Sequence, residues 1–324
     1  MRAGMADEHA TLVAEVLVWA DRRGMGSHGV MRVPRYLELI RRGDLNARPR
    51  MKVTTETAAT ALLDADRAAG PVAMSRGAEL AIDKARGAGI GLALVRSTTH
   101  TAALGYYTQR GARAGMAMIA LAASGPNMAY HAARAAGVST APLSIAVPGE
   151  DEPLALDMGS GVVSLGKLMQ ARRGGEPLAP GLALDAAGSP TSDPRQAAIP
   201  LPLGGAKGSG LALMIECLAS LLSGNPILAE ALEGTPAGRR HTQNGLVIAI
   251  DVARFAPVEA FSREVERLKR DLKALPPQPG AEILMPGERG SRNAAQRRGE
   301  LPVSPQTMEE LRTLAQSLGV EVPA

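Results

Sequence analysis

Between residues 115 and 159 the chain passes through three short apolar stretches, "GMAMIALAAS", "PLSIAVP" and "PLALDMG", each bounded by glycine or proline. Runs of roughly four to eight apolar residues closed by such breakers read as strands, and their close succession places them in one sheet. Ala117 to Ala123 is the longest apolar run and is read as a buried strand. Further strands are expected as a pair within "MKVTTETAATALLDADRAAG" (51–70), at Leu92 to Val95, in "GLVIAIDVARF" (245–255) and in "EILMPGERG" (282–290), the last leading into a loop. Helices are expected between them. One covers 7–20, with Leu12, Val16 and Trp19 on one face and Gly24 as its stop; a second runs from Val33 to Arg42, opened by Pro34 and closed by Gly43. Ser75 can cap a helix to Arg86, and Gly208 to Ser223 is so apolar that it should be central. Residues 257–275 form a charged amphipathic helix and 305–318 a terminal one. The alternation makes an α/β chain.

At 324 residues the chain can bury a core as one large or two ordinary domains. Its formal net charge of +4 is spread along the sequence without a basic block, which excludes nucleic acid as the expected partner and suits small anionic ligands. Cys217 is the only cysteine, so a disulfide framework or cysteine-rich metal site is not expected. Within the apolar helix it reads as a core residue. Asp7 and Glu8 interrupt the apolar core a signal peptide needs, and no stretch reaches the roughly 18 apolar residues that span a bilayer. A cytoplasmic protein without membrane partners is expected.

Two glycine-rich stretches invite a nucleotide reading and fail it. In "ARGAGIGLALVRSTTH" (85–100) the glycines follow a helix and precede a strand, the reverse of the Rossmann fingerprint, and read as a helix stop. "GGAKGSG" (204–210) lacks P-loop spacing.

The stretch "GMGSHGVMRVPRYLELI" (24–40) packs a serine, a histidine and two arginines directly after the first helix. Interconverting a 2-hydroxy and a 2-oxo acid needs a group that moves the hydroxyl proton and a cation that holds the carboxylate. Histidine suits the first and the arginine fork the second. His28 and Arg32, four residues apart, can share one helical face; spacing alone favours the plainer reading, a loop with Ser27 as a cap and surface arginines. Arg35 reads as a surface or subunit-contact residue. His100 follows a strand in "STTHTAALGYY", where a catalytic or a capping role is open. Lys207 lies between glycines at the start of the apolar helix, placed either to reach a phosphate or ribose or to be solvated. Asp157 ends a strand with small residues after it, as a ligand neighbour or an ordinary turn aspartate. His9, His131 and His241 lack comparable company.

Taken in order, "SHGVMRVPRY", "GDLNARP", His100 with "ALGYY", "APLSIAVP", "LDMGSGVVSLGK", "PLGGAKGSGLALMIE" and "ILMPGE" resemble the type-2 malate/L-lactate dehydrogenases. These are non-Rossmann, NAD(P)-dependent 2-hydroxyacid oxidoreductases that include ureidoglycolate and sulfolactate dehydrogenases, 2,3-diketogulonate reductase and piperideine/pyrroline-2-carboxylate reductase. The likeness covers about residues 12 to 304. It implies His100 as proton donor and acceptor, with Ser27, His28 and Arg32 meeting substrate and nicotinamide and Arg32 clamping the carboxylate. Ser124, Asp157, Met158, Gly159, Lys207, Pro286, Gly287 and Glu288 match cofactor-contacting positions, the cofactor being NAD or NADP.

The resemblance also implies a mostly antiparallel sheet domain for the cofactor (56–256) beside a helical domain built from both chain ends (1–55 and 257–324), in a homodimer with sites near the subunit contact. The chain departs from the pattern at Gly26 (usually Asp), "TTHTA", Ala141 (usually Asn), Ser209 (usually Tyr) and "MAYHAARAAG". The expected activity is hydride transfer between NAD(P)H and a small 2-oxo acid. The alternatives are reduction of a cyclic imine carboxylate and a non-catalytic nucleotide-binding descendant.

Overall fold

The computed structural model describes residues 1–321. Seven strands form the main sheet: β1 (Lys52–Glu56), β2 (Thr60–Asp64), β3 (Ile90–Thr98), β4 (Met116–Ser124), β5 (Leu143–Val147), β6 (Leu154–Met158) and β7 (Gln243–Asp251). Their spatial order is β1-β2-β3-β7-β4-β5-β6. Only β2 and β3 run parallel, joined by a helical crossover; every other neighbouring pair is antiparallel. The expected α/β, mostly antiparallel, non-Rossmann architecture is therefore the one observed.

Both faces of the sheet carry apolar side chains. Leu63, Val95, Met118 and Val247 pack with helices α1 (Asp7–Arg22), α3 (Gly70–Ala88) and α4 (Gly105–Arg113). Their strand neighbours Leu94, Leu121 and Leu246 point the other way, against Ala212 and Ile215 of α6 (Ala206–Glu216). Cover on both sides explains why β4 reads as an unbroken apolar run rather than an alternating one.

Three expectations need correction. Helix α3 starts at Gly70, with Pro71 in its first turn, and Ser75 lies buried inside it rather than capping it. Proline fits a first turn because its fixed φ is helical and its missing N–H was unpaired there anyway. Residues 282–287 form no strand: Pro286 has no N–H to give a ladder, Gly287 turns at φ +83°, and α9 (Glu288–Gln296) begins at once. The long apolar helix is α6 followed by a π turn, Cys217–Leu221, and it is not central: Leu213, Met214, Leu218, Leu221 and Leu222 are exposed. Cys217 is accordingly half-buried.

Helix α2 (Val33–Arg41) follows the histidine-bearing loop, α5 (Leu165–Gly174) packs on that loop, and the short α7 (Leu228–Glu233) precedes β7, which α8 (Val258–Lys273) follows. Near the C-terminus α9 packs on α1 and α10 (Pro305–Ser317) on α2. Among the described residues no helix is long and apolar enough to cross a membrane.

Candidate active site

One end of the sheet gathers the strand termini that matter. Gln243, at the head of β7, is the register partner of both Thr98 at the end of β3 and Ser124 at the end of β4. Leu143 pairs with Met158, which brings the end of β6 to the same level. Directly past β3 the chain is pinned from several sides. Thr98 and Thr99 hydroxyls donate to Ala68 O, and Thr101 N donates to Gln243 Oε1 at 3.0 Å. Helix α3 approaches so closely that a Cβ on Gly70 would lie 2.0 Å from His100 O.

His100 is thereby held rigidly between α3 and α2. Tyr36 of α2 donates its hydroxyl proton to His100 O at 2.9 Å, and the Tyr36 hydroxyl oxygen lies 3.3 Å from His100 Nδ1. With the hydroxyl proton on the carbonyl, Nδ1 carries the ring hydrogen and donates to Tyr36, which leaves the lone pair on Nε2.

The loop after α1 brings the other predicted residues here. It folds as two 3-10 turns, Gly26–His28 and Val30–Arg32, held by the Asp21 carboxylate, which accepts from Val30 N at 2.8 Å. Gly29 makes room for that carboxylate: a Cβ there would lie 1.8 Å from Asp21 Oδ1. Ser27 Oγ lies 3.0 Å from His28 Nδ1, and Arg32 Nε donates to Ser27 O at 2.6 Å. The His28 and His100 rings stack with centroids 5.6 Å apart. Among the described residues Arg32 has no carboxylate partner, and its two terminal nitrogens make no hydrogen bond, so both are free for a ligand. Arg35, by contrast, is paired with Glu38 at 2.6 Å, the surface arrangement expected of it.

Burial dominates the electrostatics. It lowers His28 to about 4, with Arg32 adding to the effect, and it holds His100 well below 6.5, with Arg32 and His28 next. Both rings are neutral at physiological pH.

The cofactor-matching positions fall into two groups. Residues 160–162 fold back on 201–203, with Val162 N donating to Leu201 O at 2.8 Å and Leu203 N to Ser160 O at 2.9 Å. That brings Lys207, exposed in the first turn of α6, toward Met158, Gly159 and the end of the sheet. Gly204 and Gly205 turn at φ +59° and +62°, and a Cβ on Gly208 would lie 2.5 Å from Ser160 O. Ser160 Oγ is buried with no partner among the described residues. Bare backbone, a helix N-terminus, a lysine and an unused hydroxyl form a donor set that fits the phosphates of a dinucleotide. Asp157 turns to the opposite face, where its carboxylate accepts from Gly105 N at 2.8 Å at the start of α4. Burial raises it to about 6.

Pro286, Gly287 and Glu288 lie farther along β6, where Ala155 N donates to Pro286 O at 3.4 Å. They border a cleft of about 540 Å³ shared with Glu150, Asp151, Lys269 and Arg270. The Glu288 carboxylate is engaged by Met285 N, Lys273 and Arg292, which together hold it at about 2 despite partial burial.

Sequence reasoning missed three members of the cluster. Tyr36 stood in the quoted stretch, but its partner is 64 residues away. Asp21 was readable only as a polar residue of α1. His241 lies just before β7, close enough that its charge would be felt at His100.

Comparison with known proteins decides the family. The family described as malate/L-lactate dehydrogenase matches residues 1–312. The chain belongs to this family. Its relatives include the L-sulfolactate dehydrogenase of Methanocaldococcus jannaschii, 34% identical over 322 residues, covering 98% of this chain and 93% of that protein. The NAD(+) ureidoglycolate dehydrogenase of Escherichia coli K12 is 37% identical over 292 residues, covering 89% and 83%. Among solved structures, the delta1-piperideine-2-carboxylate reductase of Pseudomonas syringae superposes with a TM-score of 0.85 at 30% identity, covering 97% of this chain and 95% of that one. These members of the malate/L-lactate dehydrogenase family agree with the expected class, an oxidoreductase that moves hydride between a nicotinamide cofactor, NAD or NADP, and a small hydroxy acid.

Proposed function

We propose that the chain reduces a small 2-oxo acid to its 2-hydroxy acid and catalyses the reverse, with His100 as acid and base and Arg32 on the carboxylate. The observation that carries this reading is the pairing of a neutral, rigidly held imidazole with an arginine whose terminal nitrogens the protein leaves free. When bound, NADH or NADPH would supply the hydride for reduction, and NAD(+) or NADP(+) would accept it for oxidation. Arg32 binds the carboxylate as a fork and fixes the carbonyl toward His100. His100 Nε2 takes the hydroxyl proton during oxidation and returns it during reduction. Tyr36 orients that ring through Nδ1, while Ser27 and His28 close the pocket on the other side. Ser124, Met158, Gly159 and Lys207 are assigned to the nicotinamide and phosphate end of the cofactor, and Pro286 to Glu288 to its far end; the Asp157 carboxylate, turned to the opposite face onto Gly105 N, is left out of that set and holds the start of α4 instead.

A second reading, reduction of a cyclic imine carboxylate, is favoured by the likeness to the piperideine-2-carboxylate reductase, since one carboxylate clamp serves both substrates. We further assign the helices within residues 1–55 and 257–321 to one helical unit around a cofactor unit, 56–256, supported by α9 on α1 and α10 on α2. The five exposed aliphatics of α6 and its π turn form the expected homodimer contact. A cytoplasmic location accords with a single, half-buried cysteine.

The test is loss of the reduced-nicotinamide absorbance from NADH and from NADPH with purified protein. Pyruvate, oxaloacetate, sulfopyruvate and piperideine-2-carboxylate are the acceptors. Turnover of a 2-oxo acid supports the first reading and turnover of the imine alone the second. Cofactor binding without turnover of any acceptor would reject both in favour of a non-catalytic descendant.

A further inference from the structure

His241 carries no role in the chemistry described above, yet the fold delivers it there. It precedes β7 by two residues, and Gln243 at the head of that strand holds Thr101 N, the backbone next to His100. Its Nε2 is buried and has no hydrogen-bond partner among the described residues. A buried ring nitrogen left unpaired costs free energy that a ligand group would recover.

The surroundings indicate the kind of group. Burial lowers His241 to about 4, Arg35 and then Arg42 and Arg32 add to that, and Asp44 alone opposes them. Asp44 is already engaged by Arg42 at 3.1 Å, and Arg35 by Glu38. Those pairs compensate both signs and leave Arg32, which has no carboxylate partner among the described residues, as the uncompensated charge, and its cationic field acts on both His241 and His100. A small molecule with two acidic groups can place one on Arg32, the other near His241 and its carbonyl at His100.

We propose that His241 selects the substrate: its Nε2–H donates to a second acidic group, carboxylate or sulfonate, at the end of the 2-oxo acid remote from Arg32. The assignment rests on the roles given to Arg32 and His100 under Proposed function. It separates diacids from pyruvate, which has nothing to offer that donor.

The experiment compares kcat/KM for oxaloacetate, sulfopyruvate and pyruvate in the wild type, His241→Leu and His241→Gln. Wild type should prefer the diacids. In His241→Leu the diacid-to-pyruvate ratio should fall about 10-fold or more, through KM more than kcat. His241→Gln retains an N–H donor and should recover most of the ratio. Equal losses on all three substrates, or an unchanged ratio, would overturn the assignment. If the wild type turns over none of them, the 2-oxo acid reading fails separately. Calorimetric titrations of malate and of lactate with NAD present then decide on His241: a malate preference lost in His241→Leu supports its role, and the same preference in both proteins rejects it.

Discussion

The imidazoles of His28 and His100 lie nearly parallel, 23° between planes and 5.6 Å between centroids. Rings so close cannot both take protons without repulsion, and Arg32 disfavours the charge on either. Burial is the largest cause at both. The site therefore keeps neutral imidazoles beside a permanent cation, the combination that the proposed oxidation of a hydroxy acid requires.

Replacing that base tests the assignment. His100→Ala should lower kcat by roughly 100-fold or more, the scale of general acid–base catalysis, while NAD(P)H binding followed by fluorescence is retained. The pH profile carries a sign as well. Oxidation needs neutral His100, whose affinity for a proton is depressed, so its rate should hold on acidification through pH 6.5 and fall only well below it. An oxidation rate that halves near 6.5 would point to a different, unperturbed base.

Arg32 has Nε on Ser27 O and its terminal nitrogens free. Arg32→Lys removes both the loop bond and the fork, so KM for the 2-oxo acid should rise by about 10-fold or more. Cofactor affinity should stay within about twofold of the wild type, and an unaltered KM would reject the clamp.

Asp157 offers a stability test with a definite sign. Its carboxyl is raised from 3.8 to about 6 by burial, so the folded protein binds the proton more tightly than the unfolded chain. The ionised form costs stability above pH 6, and the cost fades as pH falls toward 3.8. Asp157→Asn keeps an acceptor for Gly105 N and removes the charge. It should therefore raise the melting temperature at pH 8, with a gain in stability of up to about 3 kcal/mol, and the gain should shrink near pH 4. A gain that grows on acidification would contradict this account. Asp157→Ala, which orphans Gly105 N, should destabilise at both pH values.

The contrast between what was legible and what was not follows contact range. β4, β5 and β6 were readable because their apolar runs end at glycine or proline, and Gly89 as a helix stop because it adopts φ +85°. α3 starts at Gly70 and Pro71 rather than at the local cap signal of Ser75, because the tight contact of Gly70 with His100 that seats the start of the helix is tertiary. "EILM" matched a strand in composition, but Pro286 and Gly287 deny it a ladder. Ser27, His28 and Arg32 shared one short segment and were visible together. His241 was not, because only the pairing of β7 with β3 carries it toward His100.

The Asp21–Gly29 contact is a second point at which geometry fixes an outcome. Any Cβ at 29 would lie 1.8 Å from Asp21 Oδ1, so the carboxylate must leave its bond to Val30 N. Gly29→Ala should cost about 1–3 kcal/mol and lower turnover by loosening the loop that carries Ser27, His28 and Arg32. Asp21→Ala removes the obstacle along with the bond. In a double-mutant cycle the two losses should be clearly less than additive, because either change alone already abolishes the Asp21–Val30 bond. Additive losses in thermal melts would mean that Gly29 is needed for some other reason.

The outward face of α6 tests the assembly. Met214 is 55% exposed, Leu222 59% and Leu221 52%, with Leu213 and Leu218 beside them, an apolar stripe unusual for a free surface. The same helix carries Lys207 in its first turn, so a partner seated on the stripe would lie on the helix that starts at the proposed phosphate site. Leu218→Glu with Leu222→Lys should convert a dimer to monomers in sedimentation velocity, because burying two new charges outweighs the remaining aliphatic contact. If the contact supports the site, cofactor affinity should weaken along with the dimer. Monomers in the wild type at micromolar concentration would reject this face as a stable subunit contact, and a variant that stays dimeric would place the contact elsewhere.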